Sequence, residues 1–394
     1  MSSRSLSAVG PVILAVLIDL IGFGLVIPLL TFYSEDYGAT AVQVTLLMAV
    51  YSLAQFLFAP VWGQLSDRYG RRPIMLFSIA GTAVTLAGFA AANSLWLLFV
   101  FRTLNGMCAA NISTAQAYVA DVTTPENRAR GMGLIGASFG VGLSLGPWIG
   151  GELSQFGYVV PIWAAAALAA INFVWAYLKL PESRVVGAKS RSGRTLDPRA
   201  VTRALGHPIL GVAIGLTFVA TFAFSMMEAT FTLVAEHVWS MGAHNVGRMF
   251  GLIGGIGIVI QGGLIGRLVK AFGERRLVAA GYLLTASGLA WLAFVQGGPG
   301  IYGGCALIAT GMSLANPSLQ SIISRGASAD DQGTVLGANQ SLSALARALA
   351  PTVGGMLFTH WFMGGAFLAG ALMMLGALLL TIRLKAPAEL ASSP

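Results

Sequence analysis

The sequence predicts an all-α membrane protein: twelve transmembrane helices in two pseudo-symmetric six-helix bundles. Three observations lead there. Of 394 residues, 56% are hydrophobic and only 10% charged, with a mean hydropathy of +0.77, whereas a soluble domain carries about a quarter charged residues. The apolar residues gather in twelve runs, each near the roughly 20 residues a helix needs to cross a bilayer. The second half also repeats spacings of the first. Runs of this length suit helices rather than the roughly ten-residue alternating strands of membrane barrels.

The runs lie near residues 11 to 33, 41 to 62, 74 to 93, 96 to 118, 131 to 153, 158 to 179, 208 to 233, 244 to 264, 277 to 296, 301 to 322, 334 to 357 and 364 to 383. The first carries a carboxylate, Asp19, and is too long for a cleavable signal. Between the second and third sits Gly63-Gln-Leu-Ser-Asp-Arg-Tyr-Gly-Arg-Arg-Pro73, expected as a tight turn whose three arginines place it in the cytoplasm. The fourth carries Arg102-Thr-Leu-Asn-Gly106. The fifth carries Gly142-x-x-x-Gly146-Pro147-x-x-Gly150-Gly151, small surfaces and a bend that let helices approach. The longest polar stretch, 181 to 207, is basic and divides the chain into bundles at 1 to 180 and 208 to 394. Gly63, Leu65, Gly70 and Arg72 recur 203 residues on as Gly266, Leu268, Gly273 and Arg275. Gly133, Pro147, Gly150 and Gly151 recur 204 on as Gly337, Pro351, Gly354 and Gly355. Such a duplication implies a cavity where the halves meet and alternating access as they rock.

Composition also excludes functions. Of 23 Lys and Arg, all but Arg102, Arg248 and Arg347 lie in termini or loops assigned to the cytoplasm, so the net charge of +8 orients helices rather than binding nucleic acid. Cys108 and Cys305 lie inside apolar runs, as core residues with no disulfide. The four histidines lack metal-ligand spacing. No hydrolase pentapeptide or P-loop occurs, so no enzyme and no cofactor is expected, and the energy source is an ion gradient.

The hinge, the Arg102 run and the fifth-span motif together resemble the signatures of the major facilitator superfamily. Asp19-x-x-Gly22-x-Gly24-x-x-x-Pro28 is similar to the first span of its twelve-helix drug:proton antiporters, tetracycline exporters included. Two departures stand out: the third span holds no acid, and positions matched to a histidine and an acid read Gly257 and Thr285. The resemblance implies a proton-coupled exporter of small hydrophobic molecules, a monomer in contact with membrane lipids, in a bacterial plasma membrane with both termini cytoplasmic. A lipid flippase, a metabolite symporter or a non-transporting sensor are the alternatives.

Within that frame each site has a chemical reason. A charge at membrane depth costs about 2.5 to 3.5 kcal/mol on insertion scales, so Asp19 is expected to titrate, with Arg102 as its counter-charge. Glu228 on the seventh span and Arg347 on the eleventh are expected to pair, or Glu228 to face a cavity. Glu152 and Arg248, near outer span ends, form a candidate outer gate. The hinge is a candidate latch: Asp67 against the start of the eleventh span, with Arg68, Arg71 and Arg72 facing Glu126 or lipid phosphates, and Gly63, Gly70 and Arg128 beside them. Candidate cavity residues are Phe23, Asn105, Gln116, Phe224, Met227, Phe231, Gln261, Asn316, Gln320, Asn339 and Gln340.

Overall fold

The computed structural model describes residues 3–109, 111–123, 125–183, 206, 210–326 and 332–383. Most of the 181–207 linker, and the side chains of Glu126 and Arg128, lie outside the described residues. Among the described residues, the body of each of the twelve apolar runs is helical. In the first half these are α1 (Ser3–Val26), α2 (Leu30–Glu35), α3 (Ala41–Tyr69), α4 (Arg71–Ala90), α5 (Leu95–Cys108), α6 (Asn111–Val122), α7 (Pro125–Leu153) and α8 (Val159–Lys179). In the second they are α9 (Leu210–His237), α10 (Ala243–Val259), α11 (Ile265–Phe272), α12 (Glu274–Phe294), α13 (Gly300–Gly326), α14 (Gln332–His360) and α15 (Gly365–Leu380). Among the described residues, ten helical spans are long and apolar enough to cross a membrane. Of the other two, α13 is long but less apolar, and α15 is a shorter apolar helix of 16 residues.

The chain forms two compact units: Met1–Thr40 with Val50–Gly193 and Met241–Gly251, and Ala41–Ala49 with Arg194–Ser240 and Leu252–Pro394. The same packing order recurs inside each. In the first, α1 lies on α7 and α8, and α4 lies on α5 and α8; in the second, α9 lies on α14 and α15, and α12 lies on α13 and α15. Small residues set the distances. A Cβ on Gly146 of α7 would stand 2.6 Å from the Ile21 carbonyl oxygen, and one on Gly24 of α1 would stand 2.8 Å from Pro147, so α1 and α7 touch backbone to backbone. Large apolar side chains such as Leu57, Val84, Trp96, Leu178 and Leu379 are exposed, as lipid-facing surfaces require.

The hinge departs from the expected turn. Helix continues through Ser66 to Tyr69 and resumes at Arg71, so the connection is one residue, Gly70, at φ 101°. Only a residue without Cβ adopts that conformation freely. Gly273, 203 residues on, does the same before α12 at φ 78°.

Candidate functional site

In the first unit, Asp19 and Phe23 lie one turn apart on α1, and Tyr51 and Arg102 come from α3 and α5. The Arg102 guanidinium sits 4.5 Å from the Tyr51 ring centroid and 5.7 Å from that of Phe23. The two rings stack at 5.1 Å. Arg102 is only 3% exposed. Gly106, one turn further along α5, permits this: a Cβ there would stand 3.0 Å from Tyr51 Cα, so α3 reaches α5 at backbone distance. The break after α5 is held by α3 and α4. Trp62 Nε1 donates to the Met107 carbonyl at 2.6 Å, Ser78 Oγ to Cys108 at 2.5 Å, and Gln55 Nε2 to Ala109 at 3.4 Å, satisfying carbonyls that a helix end leaves without partners.

The expected Asp19–Arg102 ion pair is not formed. Among the described residues no carboxylate lies within 4.0 Å of Arg102, because the two aromatic faces occupy its flanks. Asp19 is half-buried one turn away from Phe23. Asn105 is also committed, donating to Thr85 Oγ1 at 2.8 Å.

In the second unit, Glu228 on α9 is half-buried, and Arg347 on the adjacent α14 lies within electrostatic reach without a direct ion pair. Of the two arrangements expected, the direct ion pair is not the one present among the described residues. Phe224 is half-buried, and Gln261, Asn316, Gln320 and Gln340 are exposed. Asn339 donates to Gln320 at 3.3 Å. Met227 and Phe231 do not line a cavity. Both are 0% exposed, and Phe231 packs edge-on against Trp239 with centroids 5.5 Å apart, because that face of α9 supports α14 and α15.

Glu152 and Arg248 do meet, with Arg248 Nε 3.0 Å from Glu152 Oε1. His244 Nδ1 stands 3.5 Å from Glu152 Oε2, and Gln155 Nε2 bridges to both at 3.2 Å. The helices cross where Gly151 faces Gly247, a Cβ on Gly151 standing 2.8 Å from Gly247 Cα. His244 was set aside with the scattered histidines, yet its i, i+4 relation to Arg248 places both on one face of α10.

The hinge arginines are held inside their own unit. Arg71 is 4% exposed: Nη2 is 2.7 Å from Asp67, Nε 2.9 Å from Asp121, and Nη1 donates to Ser66 Oγ at 2.6 Å. It does not face lipid, since a buried guanidinium must gather acceptors, and the expected contact with Glu126 falls outside the described residues. Glu182 accepts from the backbone amides of Arg71 at 2.9 Å and Arg72 at 3.1 Å, a carboxylate on a helix N-terminus. Arg72 donates to the Tyr177 carbonyl at 2.7 Å. Arg68 is exposed beside the Tyr69 ring, and Gly63 has open space around it. Asp121 and Glu182 were missed in the sequence.

The model of the Major Facilitator Superfamily matches residues 12–351. The chain is 32% identical over 342 residues to the class C tetracycline resistance protein of Escherichia coli, covering 86% of each chain. It is 27% identical to multidrug resistance protein 2 of Bacillus subtilis, covering 92% of this chain and 91% of that one. Among solved structures it resembles the human organic anion transporter MFSD10 at a TM-score of 0.74 and 27% identity, covering 97% of this chain and all of that one. The chain is a multi-pass membrane transporter and belongs to the Major Facilitator Superfamily.

Proposed function

We propose that the protein is a secondary-active exporter in which protons entering through Asp19 and Glu228 drive small, largely apolar drug-like molecules out by alternating access. In this reading it sits in a plasma membrane with both termini cytoplasmic. The observation that carries it is Glu228, half-buried within a 28-residue apolar helix, with Arg347 near but no cation in direct contact among the described residues. A carboxyl in that setting exchanges a proton more readily than one locked in an ion pair. Asp19 supports it from the first unit, within another apolar helix. The relatives named for tetracycline and multidrug resistance support a drug-like cargo.

The test is transport of ethidium into proteoliposomes under an imposed pH gradient, with wild type beside Asp19→Asn and Glu228→Gln. Accumulation by wild type, reduced tenfold or more in either variant, supports the reading. Equal accumulation by all three defeats it.

A further inference from the structure

Resting on the exporter reading, we infer that Arg102 is the recognition point for an anionic group on the transported molecule, so that the cargo includes amphiphilic organic anions carrying a carboxylate or sulfonate on an aromatic or apolar body. A guanidinium stays charged under all ordinary conditions. Burying one without a counter-charge is costly, and removal of partners from buried charges is strongly destabilising. Arg102 is 3% exposed, yet among the described residues no carboxylate reaches it and no acceptor takes a hydrogen bond from its nitrogens. The Tyr51 and Phe23 rings supply the attraction that is visible, and aromatic faces offset only part of the cost of a buried charge.

What is left open defines the ligand. Nε is sealed off without a partner, and no hydrogen bond from the two terminal nitrogens is present among the described residues. Aromatic faces beside the guanidinium leave its in-plane edge for bonding, and that edge matches a planar carboxylate with two parallel hydrogen bonds. The same two rings offer an apolar surface to whatever body carries the anion.

The duplication separates this arginine from the structural ones. Arg72 braces the end of α8 through Tyr177, and Arg275, 203 residues on, donates to the Ile382 carbonyl beyond α15 at 2.9 Å. Arg71 and Asp121 form one ion pair, Glu274 and Arg325 its counterpart. The positions 203 and 204 residues beyond Arg102 are Cys305 and Ala306. The second half does not repeat this charge.

The experiment measures binding of two fluorescent probes, 1-pyrenebutyrate and its uncharged amide, to purified protein in phosphatidylcholine nanodiscs. Wild type is compared with Arg102→Gln and Arg102→Lys, each first checked for monodisperse elution and thermal stability. The inference expects wild type to bind the carboxylate at least tenfold more tightly than the amide. Arg102→Gln should erase that preference, and Arg102→Lys, which keeps the charge but not the planar fork, should retain it in part. If Arg102→Gln does not fold, Arg102→Lys decides the matter by weakening the carboxylate at least threefold relative to the amide. Equal affinities in wild type, or a preference that survives Arg102→Gln, overturn the assignment. Displacement of the carboxylate by phosphatidylglycerol, but not by more phosphatidylcholine, also overturns it, by giving the site to a lipid headgroup. The two readings fail separately. Arg102-dependent binding without any gradient-driven flux removes the coupling and leaves the site. Gradient-driven ethidium export with no anion preference removes the site and leaves the exporter.

Discussion

Glu274 and Arg325 form an ion pair at the places where the first half has Arg71 and Asp121, with the charges exchanged. Glu274 follows Arg71 by 203 residues and Arg325 follows Asp121 by 204, the two offsets that relate the halves. In both units the buried member opens the helix after a left-handed glycine: Arg71 after Gly70 and Glu274 after Gly273. Attraction between two groups does not depend on which one is positive, so the duplicated bracket kept the bond while its polarity reversed.

A charge exchange in the first unit should therefore be tolerated when both partners change. Arg71→Glu alone sets a new carboxylate among Asp67, Asp121 and Glu182, and should cost about 3 to 5 kcal/mol, the range for breaking a buried pair. Arg71→Glu with Asp121→Arg should recover most of that loss. Thermal unfolding of the purified single and double variants measures it, and a double variant no more stable than the single one would refute the equivalence of the two brackets.

Glu182 should matter more than its place at a loop suggests. It accepts two backbone amides at the start of α4 and lies against Gly70, where a Cβ would stand 2.6 Å from its carboxylate oxygen. Glu182→Ala should cost about 1 to 3 kcal/mol from two lost charge-assisted bonds. Gly70→Ala should cost a similar amount through backbone strain. Stability within about 0.5 kcal/mol of wild type in both would show that the bracket does not hold the hinge.

Along α7 two glycines should behave in opposite ways. Gly146→Ala drives a methyl into the α1 backbone and should destabilise by about 1 to 3 kcal/mol. Gly136→Ala meets nothing within 4 Å and should be neutral or stabilising by up to about 1 kcal/mol through helix propensity. The difference in melting temperature between the two variants is the readout, and equal melting temperatures would argue against the α1–α7 contact.

The Glu152–Arg248 pair should contribute little to stability, because both side chains are substantially exposed, 35% and 55%. A double-mutant cycle with Glu152→Gln and Arg248→Gln should give a coupling close to the limit of detection, smaller still in 1 M salt. A large coupling that survives 1 M salt would mean the network is not solvated.

The fold was readable in the sequence because membrane helices announce themselves by length and hydropathy, and because duplication leaves one offset on unrelated motifs. Side-chain pairing was less so. Asp19 and Arg102 were natural partners by charge, but the sequence cannot show that Phe23 and Tyr51 stand beside the guanidinium. Asp121 and Glu182 escaped notice because their partners lie 50 and 111 residues away. The offset that matched Arg72 to Arg275 would also have set Arg71 against Glu274, and that change of sign was the available signal. Met227 and Phe231 were misplaced because an apolar helix in a membrane shows no polar face to say which side is interior.

The central claim, that cargo and protons compete for one carboxyl-bearing transporter, is tested most directly by proton release. Ethidium added to the purified protein in weakly buffered solution should acidify it, and the Asp19→Asn, Glu228→Gln double variant should not. No acidification by wild type, or the same acidification by the double variant, would contradict the account.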